Sequence, residues 1–387
     1  MTSTHPESGP AELAGLLRTQ GDLTDPAWEQ AFRRVPRGLF IPDAIWAPDA
    51  RDATWLVRVE RDDPYWSQVV YSDSAVATQA DDGAPDGPGG RGRYVTSSAS
   101  QPSLVLRMLD ALDVGEDSRV LEIGTGTGFN AALLAERLGG PNVVTVEVDG
   151  QVAAHARERL AAAGLAPTVV VGDGARGAPS HGPFDRVIAT VAAGPVPYAW
   201  VAQTRAGGVI VVPWGTPYAS TGLLRLVVKE DGTASGPVIG RAGFMWLRQQ
   251  RGLTGGWRTY VDTSAPVETS ASTLDPDDIL RMDSPARFAV GLRVPGLCQV
   301  DFHASDGSGE YTLWFYDGSG AWASLDYVPG AGEYVVEQHG ERRLFDEVEA
   351  AYRWWERNGR PDCERFGATV TANGEHVWLD RPECVVS

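Results

Sequence analysis

Three glycines in a short segment form the pattern of this sequence that is best suited to holding a ligand. The segment Gly124–Gly128, GTGTG, follows the apolar run Val120–Ile123 and precedes the helix-type sequence AALLAERL. Such a turn lets a ligand approach the backbone closely and meet the amide-rich start of a helix. Dinucleotides and S-adenosylmethionine both bind in this way, and Gly126–Ala131 also matches the relaxed dinucleotide pattern G-x-G-x-x-A. The glycines alone leave both cofactors open.

Carboxylates at the ends of neighbouring strand-type runs are placed to bind a nucleoside. Glu147 ends the run VVTVE about 20 residues after the glycine turn, where a carboxylate can accept hydrogen bonds from both ribose hydroxyls. Asp173 and Gly174 follow the next run, TVVV. Ligands of parallel α/β sheets lie at the carboxyl ends of the strands. We therefore expect Glu122, Glu147 and Asp173 to come together at one edge of a sheet.

A group of hydroxyl side chains precedes the glycine turn. One threonine and four serines lie between Thr96 and Ser103. A helix is expected to begin near Pro102, because proline suits a first helical turn. Hydroxyl groups at such a place commonly cap a helix. Their position between a Gly/Pro-rich loop and the expected cofactor strand favours contact with a substrate equally well, so both interpretations are kept.

The elements that must position these residues indicate two domains. Strand- and helix-type runs alternate from Arg119 to Val228, which predicts a doubly wound, mostly parallel, Rossmann-like α/β sheet. Later runs, among them RFAVGLRVPG and YTLWFYD, predict antiparallel strands of a C-terminal α+β domain, with one helix around Leu344–Trp355 and a hairpin at Asn373-Gly374. The expected boundaries are 1–240 for the first domain, 241–285 for a linker and 286–387 for the second domain.

Composition argues against several kinds of partner. The formal net charge is −18 and the pI is about 4.7, which disfavours binding to nucleic acid. No apolar stretch approaches the roughly 20 residues that span a bilayer, and the N-terminal sequence MTSTHPESGP has the character of a loose tail rather than a secretion signal. Cys298, Cys363 and Cys384 lack metal-ligand spacing. We expect a cytoplasmic protein with reduced thiols, no bound metal and no membrane partner.

The order of the motifs resembles the protein-L-isoaspartate O-methyltransferase family. LEIGTGTGFN, TVEVD, GDG with PFD, and VVPWG follow one another as they do in that family. RVPRGLFIPD and the SQP of Ser100–Pro102 are similar to its N-terminal segment and its pre-cofactor motif. The resemblance covers roughly residues 25–230 and favours S-adenosylmethionine over a dinucleotide. Base-methylating enzymes carry an Asn/Asp-Pro-Pro-aromatic motif where this chain has Thr190–Ala193, TVAA, so methylation of nucleic acid is not expected.

The resemblance implies a role for each matching position. Glu147 would bind the ribose, Asp173-Gly174 would lie against the adenine, and Gln203 matches a family position to which no role is assigned. The implied cofactor-binding residues are Glu122, Gly124, Thr125, Gly126, Glu147, Val148, Asp173 and Gly174. The implied substrate side comprises Ser100 as the catalytic residue that contacts the substrate, with Thr96, Ser97, Ser98 and Gln101 beside it.

A carboxylate acceptor is consistent with a sequence that shows no catalytic triad or metal constellation. An aspartyl carboxyl has a pKa of about 3.9 and is ionised at neutral pH, so its methylation needs no general base. Alignment of the methyl group with a carboxylate oxygen can supply about 7–11 kcal/mol. The methyl ester can then lose methanol as the following backbone nitrogen closes to a succinimide.

Two departures from the family's repair enzymes suggest a particular substrate. Ser103-Leu104 stand where those enzymes usually have an aromatic residue or histidine followed by methionine, and the chain continues well past residue 240. Both features are similar to family variants that accompany ribosomally made, modified peptides such as lanthipeptides and graspetides. The C-terminal aromatic residues would then serve either as a peptide-binding face or as core. They are Trp314, Phe315, Tyr316, Trp322 and Tyr327.

Three hypotheses follow. The first is an O-methyltransferase that acts on an aspartyl carboxylate of a macrocyclic precursor peptide and leads to aspartimide or isoaspartate. The second is a general isoaspartyl repair enzyme with an accessory domain. The third, from another class, is a non-catalytic scaffold that binds peptides.

Overall fold

The computed structural model describes residues 9–253 and 255–386. The expected N-terminal tail falls mainly on residues 1–8, outside these ranges. Within them, no helix has both the length and the apolar character needed to cross a bilayer. The chain divides into two compact units. Unit 1 comprises residues up to 191, 197–212 and 227–233, and unit 2 comprises residues 192–196, 213–226 and 234 onward.

Helices and strands are numbered here in chain order. The α-helices are α1 (Pro10–Gln20), α2 (Pro26–Arg34), α3 (Arg37–Phe40), α4 (Pro64–Val70), α5 (Pro102–Leu112), α6 (Phe129–Leu138), α7 (Gly150–Ala162), α8 (Tyr198–Ala202), α9 (Asp277–Leu280), α10 (Pro285–Arg293) and α11 (Leu344–Arg357). The strands are β1 (Ala44–Asp49), β2 (Asp52–Glu60), β3 (Val76–Ala80), β4 (Val95–Ala99), β5 (Val120–Ile123), β6 (Val143–Glu147), β7 (Thr168–Val171), β8 (Phe184–Ala189), β9 (Thr204–Trp214), β10 (Gly222–Val228), β11 (Ala234–Arg241), β12 (Glu268–Ser272), β13 (Cys298–His303), β14 (Tyr311–Tyr316), β15 (Trp322–Tyr327), β16 (Tyr334–His339), β17 (Phe366–Thr371) and β18 (Gly374–Leu379).

Unit 1 is built on the parallel sheet that the alternating sequence predicts. Its strands lie in the order β9-β8-β5-β6-β7, and each neighbouring pair is parallel. All four residues of β5 are buried, which is why its sequence is a continuous apolar run interrupted only by Glu122. The chain reverses its direction of travel across the sheet between β5 and β8, so ligands are expected beyond the carboxyl ends of these two strands. The predicted doubly wound α/β class is confirmed.

A second sheet in unit 1 carries the serine-rich segment. Its strands lie in the order β2-β1-β3-β4, with antiparallel neighbours, and Ile45, Val76 and Ala99 pack into its apolar core. The sheet brings β4 close to the glycine turn. A Cβ atom added at Gly126 would lie 3.4 Å from the backbone oxygen of Ser98.

Unit 2 contains a five-stranded antiparallel sheet in the order β12-β16-β15-β14-β13. Helix α11 packs against one face of it, where Leu313 and Val336 are fully buried, and Val348 on the helix is fully buried as well. The helix predicted around Leu344–Trp355 is thus confirmed. The predicted hairpin at Asn373-Gly374 joins β17 to β18, and β17 pairs with β11.

The structure corrects two expectations about the middle of the chain. Residues 241–285, expected as a linker, lie within unit 2 and supply β12, which is an edge strand of the five-stranded sheet. The run RFAVGLR forms helix α10 instead of a strand. Because Ala286–Leu292 are all buried, including Arg287, this run has no exposed face, and its periodicity does not distinguish a strand from a helix. Pro285 at the first helical turn is the local signal for a helix.

Two of the five C-terminal aromatic residues named above lie in the core of unit 2, and the other three are half-buried. Phe315 and Trp322 are buried in the core, at 0% and 1% exposure. The ring of Trp314 lies 5.0 Å from that of Trp257, which covers it, and the ring of Tyr327 stacks on a neighbouring tyrosine at 4.4 Å. Phe315 and Trp322 therefore serve as core, while the peptide-binding interpretation stays a prediction for the half-buried Trp314, Tyr316 and Tyr327.

Candidate active site

The glycine turn has a backbone that only glycine adopts without strain. Gly124, Gly126 and Gly128 have φ values of 94°, 52° and 90°. A Cβ atom at Gly124 would also lie 2.9 Å from Cγ1 of Val191 and 3.0 Å from Oγ1 of Thr190. The Thr190 hydroxyl donates to the backbone oxygen of Gly124 at 2.5 Å, so the end of β8 supports the turn that follows β5.

The amides of the turn are already engaged. The N–H groups of Gly124 and Thr125 donate to the backbone oxygen of Val146 at 2.9 and 3.2 Å, and the N–H of Gly126 donates to Oε2 of Glu147 at 2.9 Å. The sequence predicts a turn that lets a ligand approach the backbone closely and meet the amide-rich start of the following helix. In the structure, these three amides bind the turn to β6 and are not free for a ligand. What the turn still offers a ligand is close approach to its backbone, because its glycines have no side chains.

Glu122 lies beneath the turn, fully buried. Its carboxylate accepts hydrogen bonds from Nδ2 of Asn130 at 2.7 Å and from Oγ1 of Thr145 at 2.5 Å. Because Thr145 gives its single proton to Glu122, the 2.6 Å contact between Thr145 and Thr125 places the Thr125 proton between them. Burial raises the pKa of Glu122 to about 7, and the neighbouring Glu147 adds to the rise. Glu122 and Thr125 thus brace the turn from below.

Glu147 ends β6 beside the turn and is only partly buried. Besides the bond from Gly126, its Oε1 accepts from the N–H of Asp149 at 3.1 Å. Each carboxylate oxygen keeps a lone pair for a further donor, so the group can still accept bonds from a diol. Val148, the next residue, is exposed and offers an apolar surface at the same edge.

Asp173 and Gly174 lie beyond the end of β7, in a loop held from behind. Asp173 accepts from the N–H of Ala175 at 2.9 Å, and the buried Gly174 accepts at its backbone oxygen from the indole N–H of Trp200 at 2.8 Å. Trp200 belongs to α8. The helix therefore fixes the position of this loop at the carboxyl edge of the sheet.

Gln203 has a definite place in the same loop. Its Oε1 accepts from the N–H of Ala178 at 2.8 Å, and its Nε2 donates to the backbone oxygen of Arg176 at 2.8 Å. The amide thus spans Gly177, which has a φ of 60°. The resemblance marked the position without a role, and the structure shows that Gln203 fastens the segment that follows Asp173-Gly174.

In the hydroxyl-rich segment Thr96–Ser103, some hydroxyl groups form hydrogen bonds within the protein and others do not. Thr96 donates to Gln79 at 2.9 Å, and the buried Ser97 accepts from Thr78 at 3.2 Å. Among the described residues, no hydrogen bond engages the side-chain hydroxyl of Ser100. Thr96 and Ser97 therefore help to join β3 and β4, while Ser100 keeps a donor for another group.

Gln101 and Ser103 are tied to Asp73. The Gln101 amide donates to Asp73 at 3.1 Å and to Oγ of Ser103 at 2.9 Å, and the N–H of Ser103 donates to Asp73 at 2.8 Å. Ser103 is 3% exposed. The Gln101 amide nitrogen therefore donates to groups within the protein. Ser103, in the first turn of α5, belongs to the same hydrogen-bonded cluster.

A buried arginine holds the backbone of the Ser100 segment. Arg37 donates from Nη1 to the backbone oxygens of Val70 and Ser72, at 2.6 and 3.0 Å, and from Nη2 to those of Ser74 and Ser100, at 2.8 and 3.2 Å. Burial lowers the pKa of Arg37 to about 10, and Asp73 opposes that change. Sequence reasoning missed Arg37 and Asp73, although the VPRG motif that contains Arg37 was available as a signal.

The chemistry of these residues fits S-adenosylmethionine. Glu147 would hold the ribose with its remaining lone pairs, Asp173-Gly174 would border the base, and the glycine turn would lie against the amino-acid part. When bound, this cofactor supplies a methyl group that is activated for attack by an oxygen nucleophile. The open Ser100 hydroxyl lies in the segment that β4 brings to the turn, where it could donate to a carboxylate.

Comparison with known proteins agrees with this site. The family model for protein-L-isoaspartate(D-aspartate) O-methyltransferase matches residues 49–250, just over half of the chain. A protein-L-isoaspartate O-methyltransferase of Methanoculleus marisnigri is 34% identical over 223 residues, which cover 55% of this chain and 84% of that protein. One of Xanthobacter autotrophicus is 43% identical over 134 residues, which cover 34% of this chain and 60% of that protein.

A solved structure named protein-L-isoaspartate O-methyltransferase shares the fold. It has a TM-score of 0.54 and 22% sequence identity, and the match covers 96% of this chain and all of that one. The likeness of fold therefore extends beyond the residues that the family model matches. The chain belongs to the protein-L-isoaspartate(D-aspartate) O-methyltransferase family and is an S-adenosylmethionine-dependent carboxyl O-methyltransferase.

Proposed function

We propose that this enzyme esterifies the side-chain carboxylate of an aspartyl residue in a ribosomally made, macrocyclic precursor peptide, and that the ester closes to a succinimide. The observation that carries the acceptor assignment is the Ser100 hydroxyl, which has no partner within the described residues and lies on the segment next to the glycine turn. Ser103, buried and bonded to Gln101, replaces the larger side chain that the repair enzymes of the family usually have. Family membership makes the non-catalytic scaffold the least favoured of the three hypotheses.

The residues of the chain position the acceptor rather than activate it. An aspartyl carboxylate is ionised at neutral pH. The Ser100 hydroxyl would donate to one carboxylate oxygen, which leaves the other oxygen to form the new O–CH3 bond as the S–CH3 bond breaks. The products are the methyl ester and S-adenosylhomocysteine, and no proton is transferred. Arg37 keeps the Ser100 backbone in place through its bond to that residue's carbonyl group.

The cofactor roles belong to the same proposal. Glu147 binds the ribose, Val148 and Asp173-Gly174 border the adenine, and Glu122 with Thr125 supports the turn from below. A cytoplasmic location is also part of it, because Cys298, Cys363 and Cys384 are unpaired, as is usual in a reducing compartment.

Replacement of Ser100 by alanine tests the acceptor assignment. We expect kcat/KM for methylation to fall about tenfold or more, because one hydrogen bond to a charged group is lost. The affinity for S-adenosylhomocysteine, measured by calorimetry, should stay nearly unchanged. Ser67→Ala, at an exposed serine of α4, is the matched control. A collapse of cofactor affinity in Ser100→Ala would place Ser100 in the cofactor site or in the fold instead.

General isoaspartyl repair is the second candidate function. The family name and the solved structure that covers 96% of this chain favour it, since an extended chain also occurs in a protein with that name. The enzyme should be incubated with S-adenosylmethionine and either a generic isoaspartyl peptide or a macrocyclic peptide encoded next to its gene. Efficient turnover of the generic peptide would refute the dedicated function and support repair.

A further inference from the structure

A cleft of about 630 Å³ lies within unit 1 and reaches the glycine turn. Gly126 and Thr127 line it from the turn, Ser97 lines it from β4, and Val152 lines it from α7. The volume is that of a typical ligand pocket, about 300–1,000 Å³. A molecule in this cleft would lie beside the residues that we assign to methyl transfer.

The cleft is cationic in a protein with a net charge of −18. Arg58 and Arg61 line it from β2 and the turn after it, and Arg159 lines it from α7. Asp43 is the one carboxylate among its lining residues in the described chain. Three guanidinium groups from separate elements thus face a common space, which favours an anionic ligand.

Arg159 is the least satisfied of these groups. Its guanidinium has no ion pair and no hydrogen bond among the described residues, while burial lowers its pKa and the charges of Glu158 and Asp43 oppose that change. A partly buried cation without a partner is unfavourable, because it has lost water without gaining a counter-charge. A ligand carboxylate would supply that counter-charge.

The other two arginines form ion pairs that are exposed, and Arg61 also lies over the ring of Trp66 at 4.6 Å. Arg58 contacts Glu60 at 2.7 Å and Arg61 contacts Asp43 at 2.7 Å, with both members of each pair more than half exposed. Exposed ion pairs contribute about 0–1 kcal/mol, so a ligand can compete for these arginines at little cost. The arginines can therefore turn toward an anion in the cleft.

We propose that this cleft binds an acidic segment of the peptide substrate that adjoins the methylated residue, with Arg159 as the main carboxylate partner and Arg58 and Arg61 as supporting partners. The inference rests on the proposed function, because the occupant is the same peptide whose carboxylate is methylated. It adds a specificity that neither family membership nor the Ser100 site provides, namely a preference for acidic residues next to the target.

Binding of labelled peptides tests this assignment without turnover. Two fluorescein-labelled macrocyclic peptides that contain one aspartyl residue, flanked by glutamates in the first and by glutamines in the second, are titrated with the full-length enzyme loaded with S-adenosylhomocysteine, and fluorescence anisotropy gives Kd. We expect the glutamate peptide to bind about fivefold more tightly or better, which is the effect of one modest ion pair. In Arg159→Gln most of this preference should be lost, because only the supporting Arg58 and Arg61 remain, while the Kd of the glutamine peptide and of S-adenosylhomocysteine stays the same.

Arg157→Gln is the matched control, because Arg157 lies on the same helix but donates to the backbone oxygen of Val169 and does not line the cleft. It should keep the preference. Equal binding of the two peptides by the wild type, absence of binding by either, or an equal loss in Arg159→Gln for both would overturn the cleft assignment. Methylation of the same peptides, measured separately, decides the proposed function, so the failure of one can be told from the failure of the other.

Discussion

Replacement of Glu122 by glutamine removes one buried negative charge from the residues that support the glycine turn. In the wild type the buried carboxylate accepts from Asn130 and from Thr145. In the variant, the amide oxygen can still accept from Asn130, and the amide nitrogen can donate to Thr145, whose own proton is then free for Thr125. The hydrogen-bond network therefore survives with one reversal of direction, and the main change is the loss of a titratable group.

The expected effect on stability follows from the pKa of Glu122. Its value is about 7 in the folded protein and about 4.5 in the unfolded chain. Between these pH values the folded state holds a proton that the unfolded state releases, so the free energy of unfolding of the wild type falls as pH rises through this window. The difference of about 2.5 in pKa, at about 1.4 kcal/mol for each pH unit, corresponds to about 3 kcal/mol. Glu122→Gln should avoid that loss.

Urea denaturation at pH 5 and pH 8 measures this effect. We expect the variant to gain about 2–3 kcal/mol relative to the wild type on going from pH 5 to pH 8. Glu158→Gln, at an exposed glutamate of α7, controls for the removal of one negative charge. A stability difference between wild type and Glu122→Gln that is the same at both pH values would show that Glu122 is not forced toward its neutral form by burial, and would refute the reasoning.

Two further substitutions test the cofactor edge of the sheet. Glu147→Gln removes the charge that we propose binds the ribose, and we expect S-adenosylhomocysteine affinity by calorimetry to fall about tenfold or more; an unchanged affinity would exclude the ribose role. Gln203→Ala removes both bonds to the loop after Asp173-Gly174. It should lower the free energy of unfolding by about 1–3 kcal/mol in urea titrations, and an effect no larger than that of Gln68→Ala, at an exposed glutamine of α4, would contradict this expectation.

The parallel sheet could be predicted because its signals are local and strong. Val120–Ile123 is a buried strand followed at once by glycines whose left-handed backbone leaves few other conformations. The strand that ends at Glu147 is likewise a mostly buried apolar run, and the side chain of Asp149 caps the helix that follows it. Each strand, its turn and its helix are neighbours in sequence, so the local pattern of residues is sufficient to predict these units.

The supports of the site could not be predicted because they join distant parts of the chain. Arg37 reaches Ser100 across 63 positions, and Trp200 reaches Gly174 across 26. Neither residue has a local pattern that reveals its partner. Helix α10 was missed for a different reason, since a fully buried run has no exposed face to set its period. Long-range hydrogen bonds and complete burial are thus where a single sequence is least informative.

Glu375 explains why the C-terminal part is more than a recognition module. This carboxylate, on the β17–β18 hairpin, accepts from the N–H of Val196 at 2.9 Å and from the indole N–H of Trp214 at 3.0 Å, and burial raises its pKa. Val196 belongs to the segment that continues from β8, and Trp214 ends β9. All three residues belong to unit 2, so the last hairpin fixes two other segments of that unit, and loss of either donor would leave a buried carboxylate poorly satisfied. Since the extension has this structural task, its presence does not by itself require a dedicated peptide, and the arginine-lined cleft of unit 1 becomes the better place to look for peptide selectivity.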